Sequence, residues 1–135
     1  MTPRADLIGF IVSDMRAAMA FYGRLGLEFH IGSETDDHAE AMLPGGLRFA
    51  LDTEASVGGF DPSWTAPSGD HRAALALLCE GPAEVDRLYA ELTAAGHAGH
   101  LPPFDAPWGQ RYAMLRDPDG NGVDLFAALE PSPSG

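Results

Sequence analysis

The chain has 135 residues, 45% of them hydrophobic and 21% charged, with a formal net charge of −12. That length suits one domain with a real core, and no apolar run approaches the roughly 18 to 20 residues needed to span a bilayer. The acidic balance argues against nucleic acid, whose phosphates require a basic face; it either favours a cationic ligand or serves solubility.

In chain order, Met1 to Asp6 lack the apolar segment of a signal peptide, so the cytoplasm is the expected location and no membrane partner is expected. Leu7 to Val12 reads as a strand. Asp14 then caps a helix with Met15, Ala18, Met19, Tyr22 and Leu25 on one face, ended by Gly26. Strands are predicted over 27–31, 39–43 and 47–52, with Pro44-Gly45-Gly46 as a turn. A Gly, Pro and Ser-rich connection follows and carries two bulky aromatics, Phe60 and Trp64, as anchors onto the body or as contacts for a partner.

The second half repeats the pattern. The run Ala73 to Cys79 is a strand, and Cys79, the single cysteine, is expected to be buried and inert. Gly81-Pro82 opens a helix with Val85, Leu88, Tyr89 and Leu92 at helical spacing, closed by Gly96. Strands follow over 97–101, 110–116 and 122–127, the last two joined by the turn Asp117-Pro118-Asp119-Gly120-Asn121.

The predicted class is α+β: two β-α-β-β-β modules forming a cupped mixed sheet with helices on its outer face. A single domain over 1–135 comprises module one at about 5–54, a linker at about 55–71, module two at about 72–128 and a disordered tail over 129–135.

Strand alternation sorts the faces. Leu47, Phe49, Leu51, Leu75, Leu77, Val123 and Leu125 suit packing under the helices. The other face carries Leu7, Gly9 and Ile11, then Arg48, Ala50 and Asp52, then Ala74, Ala76 and Leu78, and last Gly122, Asp124 and Phe126. Small residues mixed with a few charges line a concavity more naturally than they fill a core.

The chain resembles the vicinal oxygen chelate superfamily of glyoxalase I, extradiol dioxygenases and bleomycin-resistance proteins. Three sets of residues carry the resemblance. They are Ile11-Val12-Ser13-Asp14 with Ala20-Phe21-Tyr22 and Leu25-Gly26-Leu27, then Val85-Asp86-Arg87-Leu88-Tyr89 with Ala95-Gly96, and the turn Asp117 to Asn121. It spans Leu7 to Ala127 and speaks to the fold more than to function.

The resemblance implies a divalent metal held from the first, fourth, fifth and eighth strands, at positions that fall here on Leu7, Ala50, Ala74 and Asp124. Only Asp124 can bind an ion, so no metal or other cofactor is expected. Asp6 and His71 stand near two empty positions but at odd offsets, which in regular strands turns them to the opposite face. His30, His38, His97 and His100 show no paired spacing and read as surface histidines.

A cupped sheet without metal ligands is similar to the drug-sequestering branch, whose members pair as homodimers. On that resemblance Trp108 and Tyr112 would stack on a flat ring, with Phe60 or Trp64 closing over it. Asp52, Asp124 and Glu40 would face a cation, Met42 and Met114 would adapt to apolar surfaces, and Arg48 would bind ligand or pair with one of these acids. Trp108 as a plain loop plug and Asp124 as a structural acceptor are the bland alternatives.

The reading therefore favours non-enzymatic binding and sequestration of a small aromatic or cationic molecule, with a second copy of the chain as partner. The alternatives are a divalent-metal lyase, isomerase or dioxygenase, and a metal-free enzyme using Asp52 or Asp124 as general base.

Overall fold

A computed structural model of the chain describes residues 2–129; the expected tail beyond Leu129 lies outside the described residues. The class is α+β, with two four-stranded mixed sheets and three helices. The fold divides between Gly69 and Asp70 into two compact units, each holding one sheet. Among the described residues no helix is long and apolar enough to cross a membrane.

The first unit runs β1 (Leu7–Val12), α1 (Met15–Arg24), β2 (Phe29–Ile31), β3 (His38–Met42), β4 (Arg48–Thr53) and α2 (Glu54–Phe60), with sheet order β1-β4-β3-β2. The Asp14 carboxylate accepts from the Ala17 amide at 3.2 Å and so starts α1, a cap worth about 1 kcal/mol. Phe21 and Tyr22 of α1 are fully buried, and Tyr22 meets Phe49 of β4 at a ring distance of 4.9 Å. Phe10 meets Phe49 edge-on at 5.3 Å, so an aromatic cluster fills the space between helix and sheet.

The second unit runs β5 (Ala74–Leu78), α3 (Pro82–Ala94), β6 (Ala98–Ala106), β7 (Gln110–Arg116) and β8 (Gly122–Ala128), in the order β5-β8-β7-β6. Its core is aliphatic: Val85 and Leu92 of α3 are buried, as are Ala113, Leu115, Val123 and Leu125 of the sheet.

The repeat extends to the helix ends. After α1, Gly26 takes φ +91°, its amide donates to the Gly23 carbonyl, and the Leu27 amide reaches back to Tyr22. After α3, Gly96 takes φ +95°, its amide donates to Thr93, and the His97 amide reaches back to Leu92. Both helices thus close with the same six-to-one and five-to-two bonds, which need a residue that tolerates the left-handed region.

Two features depart from the sequence reading. Helix α2 lies where an unstructured connection was expected: Thr53 Oγ1 accepts from the Ser56 amide at 3.2 Å, and Val57 is buried. β6 is longer than its expected span, and its register shifts between Leu101 and Phe104, across a Pro-Pro pair that cannot donate to the ladder. Cys79 is buried as expected, and desolvation pushes its thiol pKa up, with Glu84 nearby adding to the shift.

Candidate functional site

The registers place the predicted faces residue by residue. Leu7, Gly9 and Ile11 stand opposite Arg48, Ala50 and Asp52, while Ala74, Ala76 and Leu78 stand opposite Gly122, Asp124 and Phe126. Apart from Ala50 and Gly122, which are themselves buried, these positions alternate with the buried core, so each sheet has one apolar face and one face carrying the candidate ligand residues.

In the second unit, Tyr112 stands opposite Phe126 and Met114 opposite Asp124. The Tyr112 hydroxyl donates to Asp124 Oδ2 at 2.5 Å, a short charge-assisted bond. Burial first, and then this bond, push the phenol pKa up to about 12, so Tyr112 is a proton donor near neutrality and no base. Its ring lies 5.5 Å from Trp108 and 6.4 Å from Phe104, both edge-on, and is stacked with Phe126 at 6.2 Å.

Trp108 is presented by the turn that joins β6 to β7. Pro107 presets the first turn dihedral, Gly109 takes φ +92°, and the Gly109 amide donates to the Ala106 carbonyl. The indole N–H donates to Gln110 Oε1 at 2.8 Å, fixing the ring while leaving the residue 59% exposed. A held aromatic with an open face is suited to stacking on a planar ligand. Leu78, 73% exposed opposite Phe126, extends this apolar surface.

In the first unit a polar chain crosses the sheet. His38 Nδ1 lies 2.7 Å from Asp52 Oδ1, and His38 Nε2 lies 2.7 Å from Glu40 Oε2. Arg48 then donates from Nη1 to Glu40 Oε1 at 2.9 Å and from Nη2 to Asp6 Oδ2 at 2.6 Å. Glu40 and then Asp52 raise the imidazole pKa, while His38 and then Arg48 lower that of buried Glu40.

This network refines one expectation and corrects another. His38 is at the surface as expected, but both its ring nitrogens face carboxylates, Glu40 on β3 and Asp52 on β4. Glu40 is engaged by His38 and Arg48 where a ligand cation was expected. Arg48 pairs with acids, the second of the roles foreseen for it, and Met42 beside it on β3 is exposed.

Asp6 and His71 also escape the alternation argument, because both precede their strands, β1 and β5. The Asp6 carboxylate meets Arg48. His71 fills the space above Gly122, where a Cβ would come within 2.2 Å of His71 Nε2. That places the imidazole on the same face as Asp124.

Of the residues expected to bind ligand, Trp108, Tyr112, Met114 and Asp124 share one face of the second sheet. Arg48, Asp52 and Met42 share one face of the first. Phe60, 75% exposed at the end of α2, and half-buried Trp64 belong to the first unit. Phe104, Gln110 and Phe126 complete the aromatic group but were not singled out as ligand contacts; a period-two reading from Tyr112 reaches Gln110, and the hairpin pairing reaches the other two.

The family model for the Glyoxalase/Bleomycin resistance protein/Dioxygenase superfamily matches residues 4–125. The chain belongs to this superfamily. A crystal structure of a glyoxalase/bleomycin resistance protein/dioxygenase from Nocardioides is 27% identical, with 100% of this chain and 89% of that chain covered and a TM-score of 0.74. A glyoxalase-related enzyme from Fulvimarina pelagi is 22% identical, covering 93% of this chain and 88% of that one at a TM-score of 0.80. A family enzyme from Burkholderia phytofirmans PsJN is 19% identical, covering 94% and 100% at 0.79. The last two speak to the fold alone. No curated protein matches the chain.

The resident divalent ion that the superfamily implies does not fit the residues here. Leu7, Ala50 and Ala74 offer no lone pair, and the fourth position, Asp124, already accepts from Tyr112. Among the described residues no group of three His, Cys, Asp or Glu side chains is arranged to hold a metal.

Proposed function

We propose that the chain binds and holds a small aromatic molecule carrying an ammonium or other hydrogen-bond donor, in the manner of drug sequestration. The observation that supports this is the Tyr112–Asp124 pair inside the ring set of Phe104, Trp108 and Phe126. Aromatic edges and faces supply contact area at small entropic cost, and the second Asp124 oxygen offers a directional anchor for a donor. Asp52 and Asp124 each have an oxygen engaged, by His38 and Tyr112, which suits orientation better than proton abstraction. A homodimer and a cytoplasmic setting belong to the same proposal; light scattering tests the former.

Calorimetric titration with bleomycin, a probe that carries a planar bithiazole and a cationic tail, tests the reading. Reversible binding is expected with the ligand recovered unchanged, weakened about tenfold or more in Trp108→Ala and in Asp124→Asn. Chemical alteration of the ligand, or equal affinity in both variants, would overturn it.

A further inference from the structure

Beyond the aromatic group, the same face of the second sheet carries a basic cluster. Arg116 of β7 stands opposite Gly122 of β8, and the His71 ring lies over that glycine. On the other side, Arg116 Nη2 approaches both ring nitrogens of His100 at 3.3 Å. Arg116 Nη1 donates to Asp70 Oδ1 at 2.7 Å. The Arg116 side chain is only 20% exposed, whereas that of Asp70 is 81% exposed.

Arg116 therefore holds an oxyanion with one nitrogen and an imidazole with the other. The Asp70 carboxyl is held below its ordinary range by Arg116 first, with His100 and His71 adding to the pull. A fixed guanidinium thus holds a carboxylate carried by an exposed residue ahead of β5, with the His100 ring against the same guanidinium and the His71 ring over Gly122, the strand neighbour of Arg116. Gly122 is what admits His71, since any side chain there would take the imidazole's place. A guanidinium presents paired N–H donors in the geometry that recognises carboxylate and phosphate, and here one of its nitrogens also donates to the His100 ring.

We propose that Arg116, His100 and His71 form an anion subsite in which a ligand's carboxylate or phosphate replaces the Asp70 carboxylate. Resting on the reading above for its aromatic end, this deepens the ligand class to an aromatic molecule bearing an acid. The rows Gly122, Asp124 and Phe126 are successive positions on one strand face, about 7 Å apart. A ligand with its acid at Arg116, a donor at Asp124 and its ring beside Tyr112 and Phe126 matches that spacing. Such a molecule also explains how a chain of net charge −12 would accept an acid: locally it meets Arg and His, and Asp70 moves aside.

The test is a titration followed by NMR of the His71 and His100 ring signals and the Trp108 indole N–H. The probes are inorganic phosphate, 3-phenylpropyl phosphate and 3-phenylpropanol. Phosphate should shift both histidines, bind about threefold or more tighter to Asp70→Asn, and bind about tenfold or more weaker to Arg116→Gln. The Asp70 change sits on an exposed residue and leaves the core untouched.

Histidine signals unmoved by either phosphate, or phosphate binding no tighter to Asp70→Asn, would overturn the subsite even if 3-phenylpropanol moves Trp108. Histidines that respond as expected while Trp108 ignores 3-phenylpropyl phosphate and 3-phenylpropanol would uphold the subsite and sink the aromatic reading instead.

Discussion

His38 and Glu40, two residues apart on one face of β3, join ring nitrogen to carboxylate at 2.7 Å, and Asp52 holds the other nitrogen at the same distance. The consequence is a pH window. Glu40 and then Asp52 raise the His38 pKa above 6.5, and His38 and then Arg48 lower the Glu40 pKa below 4.5.

A raised histidine contributes stability that is complete below 6.5 and is lost as pH climbs through its folded value. A lowered glutamate contributes stability that is complete above 4.5 and is lost as pH falls through its folded value. Both contributions are present together between these two figures. The difference in thermal midpoint between the wild type and His38→Gln should be largest there and shrink toward alkaline pH. A difference that stays constant up to about pH 9 would show that the network does not titrate as drawn.

Tyr112 and Asp124 give a spectroscopic prediction. The phenol, raised to about 12, should appear as a late ultraviolet transition that disappears in Tyr112→Phe. In Asp124→Asn the midpoint should fall part of the way toward 10 and stop there, because burial is the larger cause and remains. Losing the bond in Tyr112→Phe should cost about 1–2 kcal/mol in chemical denaturation, the range for a half-buried bond to a charged group.

The sequence carried the repeat, the helix ends and the sheet faces, because these rest on short-range rules. Asp14, Gly26, Pro82 and Gly96 punctuate the helices through local backbone bonds, and period two sorts β4, β5 and β8 without knowledge of their partners. What it did not carry depends on residues outside regular strands or on pairing across strands. Asp6 and His71 precede their strands, so alternation could not aim them. His38 becomes a bridge only because β3 runs antiparallel to β4 with His38 opposite Asp52. Helix α2 has a signal, Thr53-Glu54 ahead of Val57, but it is shorter than a periodic pattern can resolve.

Asp117 knots the turn between β7 and β8. Its Oδ1 accepts from the amides of Asp119 and Asn121 at 2.9 Å each, and its Oδ2 accepts from the Asn121 side chain at 2.8 Å. The residue is 2% exposed, so Asp117→Ala would strand these donors where little water reaches them. A loss of about 2–4 kcal/mol is expected from denaturant unfolding. Because the turn fixes the register that places Asp124 opposite Met114, the same variant should also weaken ligand binding. A loss under about 0.5 kcal/mol would mean that the backbone bonds alone hold the turn.

Gly99 of β6 tests how α3 rests on its sheet. A Cβ there would come within 2.2 Å of the Tyr89 hydroxyl, 2.7 Å of its ring carbon Cζ and 3.0 Å of Thr93 Cγ2. The Tyr89 ring is stiff and the Thr93 hydroxyl is tied to the Tyr89 carbonyl at 2.9 Å, so both neighbours must shift to admit the methyl group. Gly99→Ala should therefore lower stability by about 1–3 kcal/mol, the range for overpacking. Replacing Tyr89 with Leu removes the obstructing end of the side chain. In the double variant the alanine should cost clearly less than it does alone, giving a coupling of about 1 kcal/mol or more in a double-mutant cycle. Additive losses would mean that the helix yields elsewhere along its length.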